Sequence, residues 1–420
     1  MSNGAGGRKK NTELSTEPYK GVRDFYPEDQ EVQNYIFGTM REMAQKCGYA
    51  EYNASILEPA ELYRGKNAEN EEIINEQTYT FTDRGEREVT LRPEMTPTVA
   101  RMVAAKRREL SFPLRWYSIP NVFRYERPQR GRLREHWQLN VDLFGSESPA
   151  AEVEILAMAW GLMSKFGATK EDFEIRVSSR AFLNSLFAQL GLPEEKKRQV
   201  VHLLDRKAKI TREEFAEGLE AIGVSEDAFS PKETPADVAA VLAPLHETGF
   251  DNIVFNPSVV RGFDYYTGIV FEVFDKHPEN NRSLFGGGRY DNLLAIFGQE
   301  PLPAVGFGMG DVTIRDFLAV RNLLPEYVST TNVYLAVTSA TLVFEAMKLA
   351  GELRQAGITV AVDLGDKKLG DQIKAADKQR IPYVIVVGED ELKNGVFKLK
   401  ELKSGEEREI KRDSLASALT

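Results

Sequence analysis

The sequence predicts an α+β domain rich in hairpin strands, a small helical insert within it, and a C-terminal α/β domain. Three observations predict this. From residue 18 to about 175, apolar strand patterns joined by turn residues mix with amphipathic helices. From about 180 to 250 the chain becomes charged and helical, and strand-like segments resume near 252. Beyond about 328 it alternates β-α-β-α-β, the pattern of a small domain with a largely parallel sheet. At 420 residues the chain also exceeds the size at which one apolar core stops growing.

EVQNYIFGTMREMAQKCGY has apolar residues at helical spacing and ends near Gly48, a suitable C-cap. FTDRGEREVTLR alternates and turns at Arg84-Gly85, which predicts a hairpin. LRWYSIPNVFRYE and HWQLNVDLFG are two strands joined by a polar, arginine-rich loop, and AAEVEILAMAWGLMSKFG is a helix. VVRGFDYYTGIVFEVF, residues 259 to 274, has the composition of a buried strand, yet Arg261 and Asp264 sit at its start. A buried charge costs several kcal/mol unless it is paired or meets a ligand. The boundaries expected from these patterns are 1–17 for a disordered tail, 18–178 and 252–325 for the two parts of the first domain, 179–251 for the insert and 331–420 for the last domain. LLPEYVSTT is the linker.

Composition excludes several classes. The chain is 42% hydrophobic and 28% charged, as in a soluble globular protein, and no apolar run is long enough to span a bilayer. Its N-terminus lacks the apolar core of a signal peptide. Cys47 is the only cysteine, so there is no disulfide framework, and a reducing, cytoplasmic location is expected. His136, His202, His246 and His277 are scattered without zinc-ligand spacing, so no zinc and no metal held by protein clusters is expected. Net charge is −10, while the segment from Thr331 onward has 14 basic and 14 acidic residues, so the deficit lies upstream. Charge alone therefore does not decide whether the partner is a nucleic acid.

Four segments could carry chemistry. RYERPQRGRLRE holds Arg124, Arg127, Arg130, Arg132 and Arg134 between two apolar strands. It is either a solvated hairpin tip or a set of guanidinium groups aimed at phosphate, for which their fork geometry is suited. In LRPEMTPTVAR, Pro93 forces Arg92 out of helical geometry and Thr96-Pro97 starts a helix. Glu94 then sits at a strand-to-helix junction, where it could meet an ammonium group or, like Thr96, simply cap the helix. The glycines of SLFGGGRYDNLLAIFG and GFGMGD permit either close approach to a ligand or a plain turn.

Taken in order, PYKGVRDFYPED, LRPEMT, FRYERPQRGRLREHWQ, VRGFDYYTGIVFE, FGGGRYD and KKLGDQIKAADKQRIPYVIVVGEDEL resemble the histidyl-tRNA synthetase family from about residue 19 to the end. VRGFDYYTG is specific to that family, whereas the arginine hairpin is common to class II synthetases. The resemblance implies a six-stranded antiparallel catalytic domain, a helical insert, a C-terminal anticodon-binding domain and a homodimer with no membrane association. It implies joining of L-histidine to ATP as histidyl-adenylate, with Mg²⁺ on the β- and γ-phosphates, and transfer to tRNA(His) with release of AMP.

By motif, Arg124 and Arg261 would contact the α-phosphate as the catalytic residues. Glu126 and Arg132 would join them around ATP. Glu94, Thr96 and Gln138 would hold the α-amino group, and Asp142 and Tyr266, with Tyr265 beside them, would read the imidazole. Arg127 and Gln129 would face the tRNA acceptor end. Two departures stand out. Asp142 replaces a glutamate common in the family. Where the family has Gly-x-Glu-Arg, Gly310 is followed by Asp311, Val312 and Thr313. Arg315 lies about 200° further round a helix, so Arg289 or Arg132 is expected to compensate. The rival readings are a regulatory paralogue like that of ATP phosphoribosyltransferase, and a tRNA-sensing module without activity.

Overall fold

The computed structural model describes residues 14–64, 77–207, 210–229, 233–261, 265–280, 282–365 and 367–419. Residues 1–13 of the expected tail, and Asp264, lie outside that set. The chain divides into two compact units, Met1–Leu324 and Pro325–Thr420.

The strands of the first unit are β1 (Ala50–Glu51), β2 (Leu57–Pro59), β3 (Tyr79–Thr82), β4 (Glu88–Leu91), β5 (Leu114–Ser118), β6 (Asn121–Phe123), β7 (Glu135–Phe144), β8 (Phe173–Ser179), β9 (Ile253–Phe255), β10 (Ile269–Asp275), β11 (Ser283–Arg289) and β12 (Ala304–Gly310). Nine of them form one sheet in the order β1-β5-β7-β12-β11-β10-β8-β9, with β6 as a side partner of β7. The six strands from β5 to β8 in that order are antiparallel. One parallel strand is added at each edge. The hairpin expected at Arg84-Gly85 is β3–β4, which forms a separate small sheet with β2.

Directly opposed residues of an antiparallel pair share a face. Leu139, Val141 and Leu143 of β7 therefore lie beside Val305, Phe307 and Met309 of β12. This face is buried against the helices Pro27–Lys46, Ala150–Lys165, Ala236–Glu247 and Asp311–Val320. The first of these helices stops at Gly48, whose φ of 80° suits glycine. The opposite face carries Gln138, Asn140 and Asp142 against Gly310, Gly308 and Gly306.

The helices Arg180–Gln189, Glu194–Arg206 and Arg212–Ile222 have a core of their own, which includes Leu183, Phe187, Val200, Leu204, Phe215 and Leu219. The third begins with a capping box between Thr211 and Glu214 and ends on Gly223 at φ 86°. The next helix, Ala236–Glu247, instead sends Val238, Val241 and Leu245 into the core of the main sheet.

One expectation is corrected. The stretch 259–274 is not a single strand, because β10 begins only at Ile269. Arg261 lies in a loop with φ +36°, in the left-handed region. A strand would send Tyr265 and Tyr266 to opposite faces, whereas their rings pack 4.8 Å apart. The loop lets both tyrosines serve the same side of the sheet.

The second unit contains β13 (Val333–Val337), β14 (Val360–Val362), β15 (Tyr383–Val387), β16 (Val396–Glu401) and β17 (Glu407–Lys411), ordered β14-β13-β15-β16-β17. The first three are parallel and linked by the helices Val343–Gln355 and Leu369–Lys378, and the last two add antiparallel. Among the described residues, no helix is long and apolar enough to cross a membrane.

Candidate active site

The polar face of the sheet is floored by glycine. Gly286 and Gly288 of β11 stand opposite Gly308 and Gly306 of β12. The glycine run is therefore neither a turn nor a phosphate loop but the middle of a strand. A methyl group on Gly306 would lie 2.7 Å from Asp142 Oδ1, and one on Gly288 would lie 2.9 Å from the Tyr266 ring. One on Gly308 would lie 2.9 Å from the Gln138 side chain, and one on Gly286 would strike Arg261. All four glycines are needed to let polar side chains lie flat over the sheet.

Over this floor lies a cavity of about 1260 Å³. Its lining includes Arg124, Glu126, Gln129, Arg132, Gln138 and Arg261 from the expected set. The five hairpin arginines part company here. Arg124 Nε donates to the Pro93 carbonyl at 2.9 Å, tying the hairpin to the segment that carries Glu94. Arg134 is buried and donates to Tyr19 Oη at 3.0 Å and to the Glu126 carbonyl, so it is a strut. Arg130 and Arg132 line the cavity from the exposed tip, where Arg132 stands 3.4 Å from Glu126. Arg127 is exposed.

Glu94, Thr96, Asp142, Tyr265 and Tyr266 are not among the residues that line this cavity. The helix after Pro93 is Thr96–Lys106, and it has no side-chain cap, so Glu94 is not capping it. Burial pushes the Glu94 carboxyl up, and the Arg124 charge pulls against that. Thr96 hydrogen-bonds Tyr265, and Tyr265 hydrogen-bonds Tyr266. Tyr266 in turn engages Arg261, whose guanidinium carbon lies 5.9 Å from the Tyr266 ring centre. The chain of contacts Thr96–Tyr265–Tyr266–Arg261 thus joins the two halves of the expected site.

Asp142 is buried, and burial pushes its carboxyl up to about 7. Its Oδ1 accepts a hydrogen bond from Tyr290 Oη, and its Oδ2 has no partner. A buried carboxylate oxygen without a donor is costly, and a ligand N–H can supply the missing bond.

Arg289 does not compensate for the altered final motif. It lies on the other face of β11, where its guanidinium makes a buried pair with Glu152, Nη2 to Oε2 at 2.7 Å, and also bonds the Ser146 carbonyl. Arg315 is paired with Asp29. Thr313 Oγ1 donates to the Leu284 carbonyl at 2.8 Å, so its side chain closes onto β11. Asp311, fully buried, accepts from Arg23 at 2.6 Å, Gln33 at 2.8 Å and the Trp137 backbone at 2.9 Å. Its role is to hold the start of the chain against β7.

Several cavity residues escaped the sequence reading. Glu272 and Arg176 oppose each other on β10 and β8 and both line the cavity. A lone charge inside IVFEVF was the available signal for Glu272. Lys207 and Arg282, also in the lining, had no such signal, and neither had Tyr290, the partner of Asp142, because their roles depend on residues far away in the chain. His136 also lines the cavity, and burial together with the Arg124 and Arg23 charges lowers it to about 3, so it is neutral.

Six antiparallel strands, an arginine-bearing hairpin and a cationic cavity over the polar face define a class II aminoacyl-tRNA synthetase. Residues 21–312 match the family model described as histidyl-tRNA synthetase, and residues 332–420 match that of an anticodon-binding domain. A histidine–tRNA ligase of Leptospira biflexa is 44% identical over 94% of this chain and 95% of its own. One of Haloarcula marismortui is 38% identical over 92% and 94%. A solved histidyl-tRNA synthetase from Nostoc superposes with a TM-score of 0.82 at 22% identity, covering 97% of this chain and 99% of that one. A structure named as an ATP phosphoribosyltransferase regulatory subunit/histidyl-tRNA synthetase from Bacillus halodurans superposes at 0.72 with 23% identity, covering 90% and 99%. The fold alone therefore does not separate enzyme from regulator, and the sequence relatives do. This chain belongs to the histidyl-tRNA synthetase family.

Proposed function

We propose that the glycine-floored face activates L-histidine with ATP and that the chain then transfers the histidyl group to tRNA(His). The carrying observation is that Gln138 and Asp142 share one face of β7: Gln138 lines the cavity with Arg124 and Arg261, and Asp142 has a partnerless Oδ2. In the first step a histidine carboxylate oxygen bonds to the α-phosphorus and the bond to the bridging oxygen of the β-phosphate breaks, releasing pyrophosphate. Negative charge grows on the α-phosphoryl oxygens, and preplaced guanidinium groups stabilise it without reorganising. In the second step a hydroxyl at the tRNA 3′ end attacks the acyl carbon and AMP leaves.

Glu94, Thr96 and Gln138 hold the substrate ammonium, and Asp142 and Tyr266 read the imidazole, with Tyr265 bracing Tyr266. A neutral imidazole has one donor and one acceptor, which a carboxylate and a phenol can both satisfy. An apolar competitor would leave those buried groups unpaired. Arg132 and Glu126 face ATP from the hairpin, and Arg127 and Gln129 face the tRNA acceptor end. Among the described residues, the carboxylates that line the cavity are Glu126, 3.4 Å from Arg132, and Glu272, 3.7 Å from Arg261. Among the described residues, no three His, Cys, Asp or Glu side chains gather as a metal cage. That donor set suits Mg²⁺ held largely through phosphate oxygens, where it would neutralise charge on the leaving pyrophosphate. A cytoplasmic homodimer belongs to the same reading, and sedimentation equilibrium checks the dimer.

Histidine-dependent exchange of labelled pyrophosphate into ATP tests the activity. Exchange with histidine alone among the twenty amino acids is expected, and a folded protein that exchanges with none would overturn the assignment.

A further inference from the structure

The helical insertion reaches the catalytic loop through the residue at its start. Arg180 opens the helix Arg180–Gln189 directly after β8. Its backbone N–H donates to the Gly268 carbonyl at 3.0 Å. Its side-chain Nη2 donates to the Arg261 carbonyl, also at 3.0 Å. One residue thus bonds the backbone at both Arg261 and Gly268.

Two further contacts join the insertion to the same place. Val260, the residue before Arg261, is buried in the insertion's own core with Leu204, Phe215 and Phe229. Lys207 Nζ donates to Ser258 Oγ at 3.3 Å and packs 4.6 Å from the Phe215 ring. Arg261 itself is a non-glycine residue at φ +36°. A side chain held in that region persists only where the surroundings over-determine it.

We propose that Arg180 is a positioning residue for adenylate formation: its side chain fixes the Arg261 carbonyl, and the insertion thereby sets where the Arg261 guanidinium stands in the cavity. Arg180 is not placed in contact with either substrate. The inference rests on the role of Arg261 given above, and it makes the insertion a working part of the first chemical step.

The test is histidine-dependent pyrophosphate exchange on the full chain with Arg180→Ala, Arg180→Lys, Arg261→Ala and the double variant Arg180→Ala/Arg261→Ala. Truncating the Arg180 side chain removes its bond to the Arg261 carbonyl and leaves its backbone bond to Gly268. A misplacement of about 1 Å costs roughly 100-fold in rate, so Arg180→Ala is expected to lower kcat about 10- to 100-fold. The KM for histidine and the Tm should stay near the wild-type values, and Arg180→Lys, which keeps a donor, should recover most of the rate. In the double variant, removing Arg180 should add no further loss, because it acts through Arg261.

Full activity in Arg180→Ala, or losses that multiply in the double variant, would overturn the proposal while leaving the synthetase assignment standing. A fall in rate matched by a fall in Tm, not rescued by lysine, would reduce Arg180 to a stability role and overturn it equally. Absence of exchange in the wild type would instead strike the functional assignment itself.

Discussion

Strand β7 carries two faces one residue out of step. Leu139, Val141 and Leu143 are at most 2% exposed and pack into a dry core under four helices. Gln138, Asn140 and Asp142 look onto glycines, and Asp142 keeps an unbonded oxygen although it is only 4% exposed. The first face gains stability from every apolar group it hides. The second gives stability up, since a buried polar atom without a partner is worse than water. The difference teaches that burial is not one quantity: on one face it ends in contact with the fold, and on the other it awaits a ligand.

The largest effect that could break this comparison is expected at Arg261. Arg261→Ala should reduce the exchange rate by about 10³-fold with little change in Tm, since a preplaced charge acts on the transition state and not on the fold. The mirror case is Leu139→Ala on the dry face. It should cost about 2–5 kcal/mol in urea unfolding and leave the KM for histidine unchanged. If that variant altered histidine binding instead, the two faces would not be independent.

Asp142→Asn sharpens the contrast from the ligand side. It should lower kcat/KM for histidine by about 10- to 100-fold, as a lost charged hydrogen bond does, while the KM for ATP holds. Gly308→Ala is smaller: its methyl would press on Gln138. A rise of several-fold in the histidine KM, without unfolding, is expected.

The smallest signal is in pH. The Asp142 carboxyl, raised by burial from 3.8 to about 7, holds its proton more tightly folded than unfolded. Its contribution to stability is therefore complete below about pH 4 and is lost as pH rises towards 7. Asp142→Asn should gain on the wild type by a few degrees of Tm between pH 4.5 and 7.5. Equal shifts in both proteins would mean that the carboxyl is not perturbed.

Much of this was legible in the sequence, for reasons that differ by region. Alternating and helical periods gave β7, the hairpin of β3 and β4, and the β-α-β unit after Val333, since each is written within a dozen residues. Arg124 stood out because it lies between two apolar strands, Glu94 because Pro93 and Thr96-Pro97 mark a strand-to-helix junction, and Gln138 only through the family resemblance. The loop around Arg261 was mistaken for strand because a run of Val, Tyr, Ile and Phe looks the same whether it pairs or folds over. Arg289 was misplaced because the face a strand residue takes is set by its register with distant strands. Glu152, its partner, lies 137 residues away. Tyr290 on Asp142, at a separation of 148, was hidden for the same reason.

The Asp311 carboxylate has a consequence for how the chain is made. It receives Arg23, 288 residues earlier, and the Trp137 backbone, 174 residues earlier. A ribosome adding about 5–20 residues per second needs roughly 9–35 s to go from Trp137 to Asp311. During that interval β7 has β5 and β6 on one side and an unpaired edge on the other, which β12 fills later. The nascent chain must keep that edge from sticking while the helices of the insertion, whose contacts are local, are produced and fold. Completion of the site is therefore among the last events in the birth of this unit, and Asp311 is the residue that closes it.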